Sequence, residues 1–392
     1  MPGYELINKE ENKEINTIFK KGNGVLFRQG FENVRNNIYK VKSFESKFKK
    51  KFKGNFALAV TSGTAALRIA LASKNIGKGD EVITQSFTFV ATVEAIIESG
   101  AKPICTEIDN TLNMCPEDLE KKITKKTKVI TVVHFVGIPA NMIEICKIAR
   151  KYKLYVLEDC ALSLGSRIKN IHTGLWGDAG VFSFYPVKHI TTGEGGMIIS
   201  KNSKLEKKIK SLKSLGINKN FLDRNTPGLY DCKSFGLNLR MSEINSAIGN
   251  VQIKKIPKIL ELRALNFKYL KQKLDQFGKS IKIIQNQNKF FSSSNYCLVM
   301  VLREKKLYSN RKKIIKFLNN SGIGTSIYYP HPVSHMSYYK RKYNIKKNSF
   351  INAQEISNKS ISLPIGPHLT KKKLDYIYKK LKIIFFQLLK NK

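Results

Sequence analysis

Lys188 stands in the loop Pro186-Val187-Lys188-His189-Ile190-Thr191-Thr192-Gly193-Glu194-Gly195-Gly196, between two apolar stretches that read as strands. A primary amine in such a place can form a Schiff base with a carbonyl compound. Asp159 closes the apolar run Leu154-Tyr155-Val156-Leu157-Glu158-Asp159. A carboxylate there is costly unless something pairs with it. Gly63-Thr64 falls between the apolar run Phe56-Ala57-Leu58-Ala59-Val60 and the helix-forming run Ala65-Ala66-Leu67-Arg68-Ile69-Ala70-Leu71-Ala72. Backbone N–H groups and the helix dipole at such a turn can hold a phosphate. Taken singly, each feature has a plainer account: a helix cap at Gly63-Thr64, an N-cap at Asp159 for Cys160-Ala161-Leu162, and a solvated side chain for one lysine among 59.

Together the three fit one cofactor, pyridoxal 5'-phosphate. It needs a Schiff-base lysine, an acid to keep its pyridine nitrogen protonated, a phosphate cradle and an aromatic neighbour for its ring. Phe89 is placed to stack, and Ser183 to add a hydrogen bond to the phosphate.

The elements that must position these residues are legible in the hydrophobic pattern. Apolar runs at 56–60, 81–84, 103–108, 128–134, 154–159, 181–185 and 197–200 read as strands. Helical segments separate several of them, as around Met142 to Lys151. Continuously apolar strands alternating with helices predict a parallel sheet buried on both faces. Ligands of such sheets bind outside the carboxyl ends of the strands, which points to Ser62–Thr64, Ser86–Phe89, His134 and Asp159. A long Lys/Leu-rich helix is expected from Val251 to about Gly278, then a strand near Tyr296–Leu302 and a last helix after Thr370. The expected organisation is a large cofactor-binding domain over 1–250, with an N-terminal helical arm over 1–53, and a smaller C-terminal α+β domain over 251–392.

Composition narrows the class. Hydrophobic residues make up 42% of the chain, enough for a folded core. No apolar run reaches the length of a membrane span, and no secretory signal follows Met1-Pro2-Gly3-Tyr4-Glu5, so a cytoplasmic protein without membrane insertion is expected. The net charge of +41 suggests a nucleic-acid partner at first sight. Lysine outnumbers arginine 59 to 11, however, and the lysines are scattered. Arginine is the residue suited to bidentate phosphate and guanine recognition, so no specific nucleic-acid partner is expected. The six cysteines show neither a C-x-x-C pair nor zinc-finger spacing to histidine, and read as reduced thiols with no metal site.

The runs Ser62-Gly63-Thr64-Ala65-Ala66-Leu67, Gly79-Asp80-Glu81-Val82-Ile83, Phe87-Thr88-Phe89-Val90-Ala91-Thr92, Glu158-Asp159-Cys160-Ala161 and Phe182-Ser183-Phe184 occur in that order, followed by the Lys188 loop, Gly236-Leu237-Asn238-Leu239-Arg240-Met241-Ser242-Glu243 and Ile361-Ser362-Leu363-Pro364. This pattern resembles the DegT/DnrJ/EryC1/StrS family of pyridoxal phosphate-dependent sugar aminotransferases over nearly the whole chain. The resemblance implies a fold-type-I aminotransferase, a mostly parallel central sheet flanked by helices, acting as a homodimer on a keto sugar with glutamate or glutamine as donor. It implies Lys188 as the catalytic Schiff-base lysine, Asp159 on the pyridine nitrogen, Phe89 on the ring, and Gly63, Thr64 and Ser183 on the phosphate. Asn238 would reach the neighbouring subunit's phosphate. Tyr329 and His335, in Tyr328-Tyr329-Pro330-His331-Pro332-Val333-Ser334-His335, fall where the family meets its sugar, although singly each also reads as part of a packed surface loop.

Two positions bear on the chemistry. Leu162 stands where the family usually has His or Gln, which removes an expected hydrogen bond to the cofactor's ring hydroxyl. The related sugar 3-dehydratases, which use the pyridoxamine form of the cofactor, have His in place of the lysine, so Lys188 favours transamination over dehydration. A noncatalytic regulatory or nucleic-acid-binding relative would have no reason to keep that lysine. The opening residues and Val25-Leu26-Phe27-Arg28 are similar to an amino-octulosonate transaminase branch. The C-terminal third is more like general nucleotide-sugar aminotransferases.

Overall fold

A computed structural model describes residues 4–27, 31–217, 230–286 and 288–390. Residues 1–3 and Arg28, which carry part of the octulosonate resemblance, lie outside the described residues. The apolar runs form strands: β1 (Phe56–Val60), β2 (Glu81–Gln85), β3 (Lys102–Thr106), β4 (Thr127–Val133) and β5 (Tyr155–Asp159). Two short strands follow, β6 (Arg167–Ile168) and β7 (Ile171–His172), then β8 (Ala179–Ser183) and β9 (Gly196–Ser200). Every residue of β1, β2, β5 and β9 is buried, because helices cover both faces of the sheet.

The seven-stranded sheet has the order β1-β9-β8-β5-β4-β2-β3. The pairs β2–β3, β2–β4, β4–β5 and β5–β8 are parallel. β9 runs antiparallel to both β1 and β8, so the sheet is mostly parallel, as expected. A parallel partner needs a crossover, usually helical, but residues 184–195 hold no helix and simply turn the chain back. Since β1 and β8 both oppose β9, they run the same way. The carboxyl ends of β1, β2, β4, β5 and β8 therefore share one edge.

Alternate residues feed two cores. Phe56, Leu58 and Val60 face a cluster with the helices Gly63–Ala72 and Lys204–Leu212. Ala57 and Ala59 face Phe44, Phe48 and Phe52 on the opposite side. These phenylalanines recur every fourth residue in the helix Lys40–Phe52, which turns its rings inward and Lys42, Lys49 and Lys50 outward, while Lys40 is buried against Glu14. The rings of Phe48 and Phe182 lie 5.1 Å apart.

The long helix runs from Glu243 to Leu274 and so begins eight residues before the expected start at Val251. In its first two turns Ser246, Ala247, Gly249 and Asn250 are small or polar yet buried, because the Lys40–Phe52 helix packs close: a Cβ on Gly249 would sit 2.8 Å from the Phe44 ring. Residue 250 falls inside this helix. Ile253, Ile256 and Ile259 pack in the core beneath the large sheet, whereas Leu270 and Leu274 pack on a second sheet. That sheet is antiparallel, with β10 (Ile281–Ile283), β12 (Leu298–Leu302) and β13 (Ser360–Leu363) in the order β10-β12-β13. The helices Arg311–Asn320 and Lys371–Lys390 cover it. β11 (Phe291–Ser292) leaves this domain to pair with β6. All six cysteines are free.

Glu243, in the Arg-Met-Ser-Glu segment, plays a structural part. Its carboxylate pairs with Arg35 at 3.3 Å, both side chains fully buried, and accepts the Val41 N–H at 3.4 Å and the Lys40 N–H. Removing one partner of a buried ion pair strands the other charge. Glu243→Ala is therefore expected to lower unfolding free energy by about 3–5 kcal/mol in urea titrations. A loss within experimental error would show that Arg35 finds another acceptor.

Candidate active site

Seven of the expected site residues lie at the carboxyl edge of the sheet: Gly63, Thr64, Phe89, Asp159, Ser183, Lys188 and Tyr329. Asp159 ends β5 and is buried, with Oδ2 accepting from Thr92 Oγ1 at 2.9 Å and Oδ1 from the Ala161 N–H at 3.0 Å. No helix follows it, so the second bond closes a tight turn instead of capping a helix. Thr92 Oγ1 is in turn 3.0 Å from Thr88 Oγ1. Burial pushes the Asp159 carboxyl above the usual carboxylate range, and its two hydrogen bonds and the positive charge of Lys188 pull it back.

Lys188 lies on the turn after β8, with its N–H donating to the Tyr185 carbonyl at 2.9 Å. Desolvation draws its amine down from 10.5 to about 8, against the opposing pull of Asp159. The loop is pinned from the smaller domain. Tyr296 Oη donates to the Val187 carbonyl at 3.0 Å, and His189 Nε2 lies 3.2 Å from the Ser294 carbonyl oxygen. Arg263 donates to the Tyr296 carbonyl at 2.8 Å and fixes that strap to the long helix.

Gly63 and Thr64 open the helix Gly63–Ala72, whose N-cap Ser62 accepts the Ala65 N–H at 3.0 Å. The plain cap and the anion cradle are thus the same feature. Among the described residues, the N–H groups of Gly63 and Thr64 have no acceptor. Ser183 comes beside them because Gly196 of β9 pairs with both Val60 and Ser183. A Cβ on Gly63 would lie 2.8 Å from Ser183 Cβ, so glycine is required for this approach.

Phe89 precedes the helix Val90–Glu98 and is 56% exposed, its ring 6.1 Å from that of Tyr329. Tyr329 reaches the same edge, packed on Phe87 and Phe135 at 5.9 and 5.8 Å. Burial raises its phenol well above the ordinary range, and Asp159 contributes to the rise. His335 sits further along, in the turn Val333–His335, with its ring 6.0 Å from Phe350. Its imidazole is drawn below the ordinary range by partial burial and by Lys340 and His331. Asn238 is exposed, bridged by its backbone to Ser214.

His134, at the end of β4, is held differently. Its Nδ1 accepts the Ala140 N–H at 3.0 Å, so its Nε2–H donates to Glu158 at 2.9 Å. Glu158 also accepts from the N–H groups of Gly174, Trp176 and Gly177, which makes this cluster a knot that holds the chain after β5. Leu162 is buried among Phe87, Phe135 and Tyr296. Sequence reasoning missed Thr92 as the partner of Asp159, and Thr88 behind it. Their spacing of four on a strand-to-helix turn is the signal that points to them.

A three-layered α/β domain with a lysine, a buried acid and an open helix N-terminus on one edge defines the class of a fold-type-I aminotransferase. The family model described as the DegT/DnrJ/EryC1/StrS aminotransferase family matches residues 27–382, and the chain belongs to that family. It is 33% identical over 375 residues to the spore coat polysaccharide biosynthesis protein SpsC of Bacillus subtilis (strain 168), covering 94% of this chain and 93% of the relative. It is 33% identical over 339 residues to the GDP-perosamine synthase of Escherichia coli O157:H7, covering 86% and 88%. The structure of Helicobacter pylori PseC, an aminotransferase involved in the biosynthesis of pseudoaminic acid, superposes with a TM-score of 0.86 at 27% identity and 97% coverage of each chain.

The depressed amine makes a direct prediction. In cofactor-free protein, labelling of Lys188 by a small amine-reactive reagent, followed by peptide mass spectrometry, rises with pH about a midpoint near 8. A free lysine amine in water titrates near 10.4. A Lys188 midpoint there would contradict the desolvated setting.

Proposed function

We propose that this protein is a pyridoxal 5'-phosphate-dependent aminotransferase that moves an amino group from glutamate or glutamine to a keto sugar. The observation that carries the reading is Lys188, a desolvated amine poised near neutrality and under the pull of buried Asp159. When bound, the cofactor supplies an electron sink for bond breaking at the substrate carbon. The residues present fit it. The free N–H groups of Gly63 and Thr64, with the Ser183 hydroxyl, would hold its phosphate. Asp159 would pair with its ring nitrogen, held in orientation by Thr92 and the Ala161 N–H. The exposed ring of Phe89 would lie against its face.

A base working at neutral pH needs a proton affinity close to neutrality. Lys188 Nζ meets this condition and would take the proton from the substrate Cα and return it at C4′. Tyr329 and His335 would border the sugar, His335 through a shift of its turn or of the substrate toward it. Asn238, on the surface, would complete the phosphate site of a second subunit in a homodimer. Leu162 would pack without hydrogen bonding the cofactor's ring hydroxyl.

For the substrate, the names of the relatives support a nucleotide-linked keto sugar used for cell-surface polysaccharide ahead of an octulosonate-type one. This reading carries a cytoplasmic location, no specific nucleic-acid partner and no membrane insertion. Among the described residues, no helix is long and apolar enough to cross a membrane.

Half-reaction spectroscopy tests the proposal. Protein loaded with pyridoxal phosphate is expected to show the visible band of the lysine-linked cofactor and to lose it with glutamate or glutamine. A matching keto sugar should then restore it. Lys188→Ala should lack the band from the start; its retention there would remove Lys188 from the role.

A further inference from the structure

We infer that the outer face of the C-terminal helix, Lys371–Lys390, is a docking surface for an anionic membrane interface. The helix carries seven lysines against a single acid, Asp375. That acid is already engaged, paired with Lys273 at 3.1 Å and accepting from Tyr269 Oη at 2.8 Å. Asp275, on the neighbouring turn, is likewise paired with Lys271 at 3.1 Å.

The inner face is spoken for. Leu374, Ile377, Leu381, Ile384, Phe385 and Leu388 fill the core of the smaller domain. Yet the outer face is not purely polar. Tyr376, Ile383 and Phe386 are 43%, 45% and 42% exposed, spaced seven and three residues apart and so aligned on one side of the helix. Exposed lysines flank them, with Lys382 Nζ and Lys390 Nζ 5.7 and 5.9 Å from the Phe386 ring. Ile383 and Phe386 line a shallow groove of about 890 Å³ between this helix and Lys273.

A solvated lysine coat accounts for the charges but not for an isoleucine and a phenylalanine at their centre. A basic helix with an apolar stripe suits the boundary between lipid headgroups and acyl chains. The lysines meet anionic headgroups while the apolar side chains enter the interface. A nucleic acid fits less well, since the helix has no arginine and Ile383 offers a base neither a stack nor a hydrogen bond. The helix would lie on the surface without spanning it.

The test is co-sedimentation of the full-length protein with vesicles. One set is pure phosphatidylcholine, and the other contains about a third phosphatidylglycerol. Binding is expected only to the anionic set, weakening as salt rises. The double variant Ile383→Ser/Phe386→Ser keeps every charge and is expected to bind roughly tenfold more weakly. The control Lys125→Glu/Lys126→Glu, on a distant loop, should bind nearly as the parent does. All variants should unfold at the parent's temperature and keep the parent's activity. Equal binding by the serine variant would assign the effect to the general lysine coat and overturn the proposal. So would binding to neutral vesicles, or retention on RNA without any binding to vesicles.

Discussion

The burial of a carboxylate at the end of β5, set against a desolvated amine on the turn after β8, is the constraint from which the rest of the site follows. Neither group is stable alone in a water-poor setting. Asp159 is kept by two hydrogen bonds and Lys188 by a loop anchored through Tyr296 and Ser294. Each shifts the other: the carboxyl is raised by burial and eased by the cation, and the amine is lowered by burial and eased by the anion. A parallel pairing of β5 and β8 brings the two strand ends to the same edge. Reversal of β9 then lets Gly196 bring the Ser183 turn against the Gly63 helix start.

The smaller domain also helps build the site. Tyr296 and Ser294 precede β12 and hold Val187 and His189, the residues either side of Lys188. Tyr329 comes from the same domain and closes the aromatic wall with Phe87 and Phe135. The helix Glu243–Leu274 joins the two cores, and Arg263 on it holds Tyr296, which bonds the Lys188 loop. The large positive charge stands apart from this machinery. Most of it is a solvated coat, as the outward lysines of the Lys40–Phe52 helix illustrate. Lys213 is an exception, fully buried and paired with Glu45 at 3.1 Å.

Much of the fold was legible because burial on both faces leaves a strong mark. Short apolar runs became strands within a residue or two, and Met142–Lys151 became a helix with the bounds read from its pattern. The start of the long helix was not legible. Ser246, Gly249 and Asn250 look like surface residues until a phenylalanine from another helix is found against them. His134 misled for a related reason: a histidine at a strand end invites chemistry, but its two ring nitrogens are used by Ala140 and Glu158.

The sequence by itself determined which residues are chemically capable and which strand ends carry them. Residue type and hydrophobic period are local properties. Lys188, Asp159 and Gly63 thus stood out from 392 residues by occurring together and in order, not one by one. Only the tertiary structure decided what each would touch. That Thr92 bonds Asp159, that Ser183 lies on Gly63, and that Tyr296 steadies Val187 all depend on contacts between residues far apart in the chain, 67 positions in the first case and 109 in the last. Strand order and domain packing set such contacts, and no local pattern encodes them.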